Sequence, residues 1–132
     1  MLYAVGLRHN PKMFADLHDV FQEPNIVRNI LHAAMESIND NVDLIKAGMK
    51  EKNIHKVYMG CHTLHGIGFI GHHKCLQIAN VLTELLREKT NFQSIEMNEN
   101  NIIELFQELY DQSDIFLIQI NDELTNIENL NT

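Results

Sequence analysis

Residues 54–69 read IHKVYMGCHTLHGIGF, and the spacing of apolar positions in this stretch decides the expected fold. Five positions recur at steps of three and four residues and therefore share one helix face: Ile54, Val57, Cys61, Leu64 and Gly68. The pattern predicts a helix over about residues 54–69 that buries this face. His62 lies just beside the face, so we expect its imidazole to be exposed.

The surroundings of His62 are predicted to be open. On a helix its neighbours one turn away are Tyr58, Met59, His65 and Gly66. A glycine within a helix costs about 1 kcal/mol relative to alanine, so Gly66 indicates a need for space. Without a side chain at that position, another macromolecule can approach the imidazole closely. An exposed, unobstructed histidine on a rigid helix is what a phosphoryl group would require.

Prolines mark the start of two earlier helices. Asn10 before Pro11 is typical of a cap followed by the first helical residue, and it predicts a short helix ending at about Phe21. Pro24 begins a longer helix in the same way. An apolar stripe continues this second helix to about Glu51.

Two more helices are expected after the motif. The chain turns near residues 70–72, and we expect His72 and His73 in this turn to be exposed. Apolar stripes then predict helices over 74–89 and over about 99–126, joined by a polar connection over 90–98. Four long amphipathic helices with short connections predict one all-α domain over residues 1–132. Its expected form is an up-and-down antiparallel four-helix bundle with a short accessory N-terminal helix.

Composition and charge exclude several classes of protein. The 45% apolar content and the two cysteines, Cys61 and Cys75, indicate neither a disordered chain nor a disulfide scaffold. No signal peptide is recognised, and no apolar run approaches the roughly 20 residues of a membrane span, so we expect a cytoplasmic protein without membrane contact. The net charge is −8, and residues 91–132 hold no Lys, Arg or His. This balance argues against direct binding of nucleic acid.

At the motif the chain resembles the histidine phosphotransfer (HPt) family, small helical bundles that carry a phosphoryl group between receiver domains of signalling relays. The family's core reads His-x-Leu/Ile-Lys-Gly before a second glycine, and His62, Leu64 and Gly66 match it position by position. The resemblance covers residues 61–71 as a motif and about 23–125 as an architecture. It implies that His62 exchanges phosphoryl groups with receiver-domain aspartates. The implied partners are receiver domains of a hybrid histidine kinase or a response regulator, and no cofactor is implied.

Two features depart from the family pattern. His65 replaces the lysine expected three residues after the histidine, and the second glycine falls at Gly71, one residue early. A lysine would stabilise the phosphoryl dianion, whereas an imidazole does so only when protonated. His65 is therefore either a phosphoryl contact or ordinary polar surface. The departures also leave a second hypothesis, an HPt-like fold that serves as an interaction module without phosphotransfer.

The residues around His62 provide a candidate docking surface. Apolar and aromatic side chains there exceed what one buried stripe needs, and an apolar patch beside an exposed site often marks a docking surface. We assign receiver docking or phosphoryl contact to Tyr58, Met59, His65, Gly66 and Phe69. The alternative is that some of these side chains pack against the short N-terminal helix.

A metal-binding four-helix bundle is the rival hypothesis, since eight histidines are many for a chain of this length. His32 and Glu36 are spaced i, i+4, and His62 and His65 are spaced i, i+3, so either pair could share a metal ion. However, the apolar stripes contain no histidine, and the carboxylates lack the repeated Glu-x-x-His pattern of di-iron bundles. We therefore expect no metal site.

Overall fold

The computed structural model describes residues 13–71, 73–89, 91–96 and 100–130. These residues form helices and no strand, which confirms the predicted all-α class. None of the helices in this part of the chain is long and apolar enough to cross a membrane. In chain order the elements are α1 (Ala15–Phe21), α2 (Pro24–Glu51), α3 (Ile54–His65), a 3₁₀ turn (Gly68–Ile70), α4 (Lys74–Arg87), α5 (Gln93–Glu96) and α6 (Asn100–Leu130).

Helix α2 has the predicted bounds. It begins at Pro24, where the missing backbone N–H would have no partner within the helix in any case. It ends because Lys52 adopts the left-handed conformation, with φ 56° and ψ 40°. The cap of the preceding short helix, predicted at Asn10 and Pro11, lies outside the described residues, and α1 is described from Ala15.

Helix α3 is shorter than the sequence predicts. It begins at Ile54 but ends at His65 rather than at Phe69. Gly66 and Gly68 are poor helix formers, and the chain passes beyond His65 into the 3₁₀ turn. The placement of Gly68 on the buried face is therefore wrong, because this residue lies outside the helix and is exposed.

The later helices are present with shifted ends. Helix α4 ends two residues early, at Arg87. Helix α6 continues four residues beyond Asn126, because Ile127 still buries its side chain, with 1% of its surface exposed. The connection between them, predicted as polar, contains α5 and the fully buried Ile95.

The long helices contact one another in a closed ring. Helix α2 packs against α3, α3 against α4, α4 against α6, and α6 against α2. Helix α1 lies against α2 and the 3₁₀ turn, and its His18 Nε2 is 2.9 Å from Glu123 Oε1 of α6. The centre of the ring is filled mainly by the predicted apolar stripes, whose fully buried members include Val27, Leu31, Ile38, Ile45, Val57, Cys61, Leu64, Cys75, Ala79, Leu82, Leu109, Phe116 and Ile120.

Gly60 lets α2 and α3 approach closely. A Cβ atom at this position would lie 2.5 Å from Ile45 Cγ1 and 3.0 Å from the carbonyl oxygen of Asn41. The obstruction includes backbone, which cannot move without displacing α2. Gly60 therefore sets the distance between the two helices and so the position of the whole of α3.

A buried histidine caps the start of α4. The expectation that His73 is exposed in a turn is wrong, because only 6% of this residue is exposed. Its Nδ1 accepts a hydrogen bond of 3.0 Å from the backbone N–H of Cys75, and its ring stacks on Phe116 at 4.2 Å between centroids. The residue thus satisfies a free N–H of the helix and fills the core at the same time.

Burial lowers the pKa of His73 from its ordinary 6.5 to about 4. The polar side chain of Gln119 acts in the opposite direction and raises the pKa, but this effect is smaller. Because Nδ1 accepts the cap hydrogen bond, the neutral ring carries its proton on Nε2. A second proton on Nδ1 would remove the acceptor that caps α4.

Replacing Gly60 with alanine should destabilise the protein. Alanine gains about 1 kcal/mol in helix propensity, but overpacking against Ile45 and Asn41 costs about 1–3 kcal/mol. We expect a net loss of about 1 kcal/mol in the free energy of unfolding, measured by urea denaturation. Gly66→Ala is the matched control, because a Cβ there would meet only Thr63 O at 3.2 Å and His62 O at 3.7 Å. Equal stability of the two variants would contradict close packing at Gly60.

Acidification should unfold the protein partly through His73. The folded pKa of about 4 lies below the ordinary 6.5, so the unfolded chain binds more protons between these values. Stability should therefore fall as the pH falls from 6.5 towards 4, by up to about 3 kcal/mol from this residue. His73→Asn keeps a capping side chain without a titrating ring, and His55→Asn removes an exposed ring instead. Urea unfolding across this pH range should show a shallower decline for His73→Asn alone. Parallel curves for all three proteins would rule out this contribution.

Candidate functional site

His62 projects from α3 into solvent, as predicted. The adjacent Cys61 is fully buried, as are Val57 and Leu64 on the same face, so the turn of the helix directs His62 outward. Within the described part of the chain, the imidazole takes part in no hydrogen bond or ion pair. Both of its nitrogen atoms are thus available to solvent or to a partner. The only ring contact described for it is with Tyr58.

Tyr58 and Met59 lie one turn before His62. The Tyr58 ring stacks on the imidazole with 5.8 Å between centroids and 7° between planes. Tyr58 is half-buried and also packs against the core, so this stack restrains the histidine from one side. Met59 is exposed over 38% of its surface. Together the two side chains give His62 an apolar border towards the start of α3.

His65 and Gly66 lie one turn beyond His62, and both are exposed. Gly66 is the residue that caps α3, in the right-handed helical conformation with φ −65° and ψ −14°. Apart from Thr63 O and His62 O, no atom lies within 4 Å of a Cβ built at Gly66. The surface is therefore open above this turn. Because Gly66 stands after the helix rather than inside it, the mid-helix cost of glycine does not apply.

His65 and the buried His73 line the same recess. The recess has a volume of about 170 Å³ and lies between the end of α3, the glycine-containing turn and α4. Gln77 and Asn80 of α4 contribute carboxamide groups to its lining. The sequence does not predict that these two histidines line one recess. The position of His73 depends on its stacking against Phe116, which lies on α6.

Phe69 is exposed over 65% of its surface, but it is carried by the 3₁₀ turn and not by α3. It lines an apolar recess of about 270 Å³ together with Ile67 and with Ile30 and Ala33 of α2. Helix α1 contacts the 3₁₀ turn, yet it leaves the Phe69 ring uncovered. Phe69 therefore adds apolar surface on the side of α2.

Lys56, the lysine nearest to His62 along α3, forms an ion pair with Glu51. Lys56 Nζ lies 2.8 Å from Glu51 Oε1 and 3.0 Å from Oε2. The two side chains are 39% and 49% exposed, so solvent screens the pair and it adds little stability, but it neutralises the charge of the lysine. The residue three positions after His62 is His65 and not a lysine. Lys56 is the one lysine within α3, and its pairing with Glu51 keeps its charge away from His62.

The thiols of Cys61 and Cys75 are both buried, and burial makes them unreactive. Burial raises the pKa of Cys61 to about 12 and that of Cys75 to about 11. For Cys75, a contact of 3.2 Å between Sγ and Ser113 Oγ lowers the pKa by a smaller amount. Both thiols stay protonated near neutral pH, so neither is a candidate nucleophile.

Metal ligation needs several donor side chains at one place, and four exposed residues were candidates for it from their spacing. Among the described residues, no group of three or more His, Cys, Asp or Glu side chains is placed to bind one. His32 and Glu36 are exposed on α2, and His62 and His65 are exposed on α3. Each pair has the spacing to share an ion, but neither is joined by a third ligand in the described part of the chain.

The structure also places two basic side chains beside α3 that the sequence does not predict to be close to it. Arg87 and Lys89, at the end of α4, line a recess with His55 and Tyr58 of α3. The sequence signal is the concentration of all Lys and Arg in residues 1–90, but it does not show which of them converge. Only the side-by-side packing of α3 and α4 does so.

A function for this protein is inferred from its sequence and from the geometry of the site, because comparisons with known proteins gave no match. No protein-family model, no curated protein sequence and no solved structure matches this chain.

Proposed function

We propose that this protein is a histidine phosphotransfer protein that accepts and donates a phosphoryl group through His62. The observation that carries the proposal is the exposure of His62 on a regular helix, without a hydrogen bond or ion pair to any other described residue. The resemblance of residues 61–71 to the HPt motif supports the same assignment. A phosphoryl group needs an accessible nitrogen with an unused lone pair, and His62 offers one.

The proposal includes an up-and-down antiparallel four-helix bundle, with α1 as the accessory helix. In such a bundle, neighbouring helices in sequence are neighbours in space, and the last helix returns to the first. The contacts of α2, α3, α4 and α6 are compatible with this arrangement. The two-residue connection between α2 and α3 also favours antiparallel neighbours.

The proposed chemistry is nucleophilic. A neutral imidazole nitrogen of His62 attacks the phosphorus atom of a phosphorylated aspartate in a receiver domain. The N–P bond forms while the P–O bond to the aspartate breaks, and the aspartate carboxylate leaves with the bonding electron pair. In the reverse step, a receiver aspartate takes the phosphoryl group from phosphohistidine. The protein acts as a carrier, and the receiver supplies most of the groups that stabilise the transition state.

Receiver domains of a hybrid histidine kinase or a response regulator are the proposed partners. Tyr58, Met59, His65 and Gly66 border His62 along α3, and their exposure leaves room for a partner to approach. Phe69 extends the apolar surface towards α2. Exposed apolar side chains around an open polar centre are typical of docking surfaces.

A second candidate function is an HPt-like interaction module without phosphotransfer. It is favoured by one specific observation: His65 stands at the position of the family's lysine, while Lys56 is paired with Glu51. Such a module would bind receivers through the same surface. The two candidates differ in whether label is transferred.

The first test concerns the nucleophile. Incubation with ³²P-labelled phosphorylated receiver domains should produce label on this protein that is acid-labile and base-stable, as expected of a phosphoramidate. His62→Gln should abolish this label and leave helix content and thermal stability nearly unchanged, because the side chain is exposed. His55→Gln is the matched control on the same helix and should retain the label. Label on the His62 variant would refute the assignment, and receiver binding without label on the wild type would favour the interaction module.

The second test asks whether His65 supplies positive charge to the phosphoryl group. A lysine is charged throughout the range from about pH 6 to 8.5, whereas an ordinary imidazole loses its charge within it. His65→Lys should therefore keep or raise the transfer rate and flatten its decline above about pH 7. His65→Ala should slow transfer across the whole range. Rates from one fixed receiver are compared for the three proteins, and superimposable profiles would show that His65 is ordinary surface.

A further inference from the structure

A recess beside the start of α3 is not used by the proposed phosphotransfer. It lies where the first turns of α3 meet the last turn of α4, and its volume is about 200 Å³. This is smaller than the roughly 300–1,000 Å³ of pockets for drug-sized ligands, so it suits a small molecule. Its lining is formed by Ile54, His55, Tyr58, Leu86, Arg87 and Lys89.

The charged side chains that line this recess are basic. Arg87 and Lys89 line it, and no acidic side chain does. Within the described part of the chain, the ammonium group of Lys89 makes no ion pair. The protein as a whole carries a net charge of −8, so this local excess of basic groups runs against the average. A cleft lined by one sign of charge attracts ligands of the opposite sign.

One acidic residue competes for the recess from its edge. Glu84 binds Arg87 through both terminal nitrogens, with Nη2 3.0 Å from Oε1 and Nη1 3.2 Å from Oε2. Each side chain of the pair is 56% exposed, and an exposed ion pair of this kind contributes little stability. A planar guanidinium that binds two carboxylate oxygens can bind two phosphate oxygens in the same way.

We propose that this recess is a binding site for a small phosphate monoester. Arg87 exchanges Glu84 for two phosphate oxygens, and Lys89 supplies a second positive charge. The apolar surfaces of Ile54, Tyr58 and Leu86 contact the organic part of the ligand. The recess adjoins the His62 surface through Tyr58, whose ring also stacks on the imidazole. The inference does not rest on phosphotransfer, because binding here needs no reaction at His62.

The site is tested by NMR titration of the full chain with phenyl phosphate and, separately, with inorganic phosphate. Amide chemical shifts are measured at constant ionic strength. Both ligands should give saturable shifts confined to residues 54–58 and 84–89, and phenyl phosphate should saturate at the lower concentration. Equal affinities would overturn the assignment to an ester. Shifts that are spread over all basic residues, or that do not saturate, would overturn the site itself.

Two substitutions with opposite expected effects exclude a general charge effect. Lys89→Gln should weaken binding of phenyl phosphate by about two- to fivefold, because it removes one partly exposed cation. Glu84→Gln should tighten binding by a similar factor, since it releases Arg87 from its partner. The controls make the same charge changes elsewhere: Lys74→Gln at the far end of α4, about 20 Å away, and Glu104→Gln on α6. If either control matched its counterpart, general electrostatics would account for the effect and the proposal would fail.

Discussion

The burial of one face of α3 between α2 and α4 is the constraint on which the rest of the molecule depends. Val57, Cys61 and Leu64 are fully buried on this face. Each further residue turns the helix by about 100°, so fixing these three positions also fixes the direction of His62. Rotation of α3 would bring a neighbouring side chain to the position of Gly60, where a Cβ would collide with Ile45 and Asn41 of α2. The same contact that builds the core therefore holds the histidine in solvent.

Two hydroxyl groups buried in the core donate hydrogen bonds within their own helices. Thr83 donates a hydrogen bond of 2.7 Å to Ala79 O, and Ser113 donates one of 2.7 Å to Leu109 O. Ser113 also contacts Cys75 Sγ at 3.2 Å, which joins α6 to α4. Each of these two buried hydroxyl groups therefore has a hydrogen-bond partner. A buried polar group without a partner would cost about 1–3 kcal/mol of stability. The interior can then hold small polar residues without opening to water.

The exposed face of α3 divides into an uncharged part and a basic part. Around His62 the surface is open and has an apolar border at Tyr58 and Met59, and the lysine of this helix is paired with Glu51. Towards the start of the helix, Arg87 and Lys89 of α4 bring positive charge beside His55. Tyr58 lies between the two parts and contacts both. A partner of His62 would meet little fixed charge, whereas an anion would be drawn about two turns away along the helix.

The sequence by itself determined the all-α class, the bounds of α2, the buried face of α3 and the exposure of His62, because each follows from helical periodicity and from local start and stop signals. It did not determine that α3 ends at His65. The glycine-rich residues after His65 could continue the helix or form a 3₁₀ turn, and which of the two is more stable depends on what this segment packs against. Only the tertiary structure buried His73, because its stacking partner Phe116 lies on another helix, more than forty residues away along the chain. Likewise, only the packing of α3 beside α4 brought Arg87 and Lys89 to His55, since local spacing carries no information about which helices become neighbours.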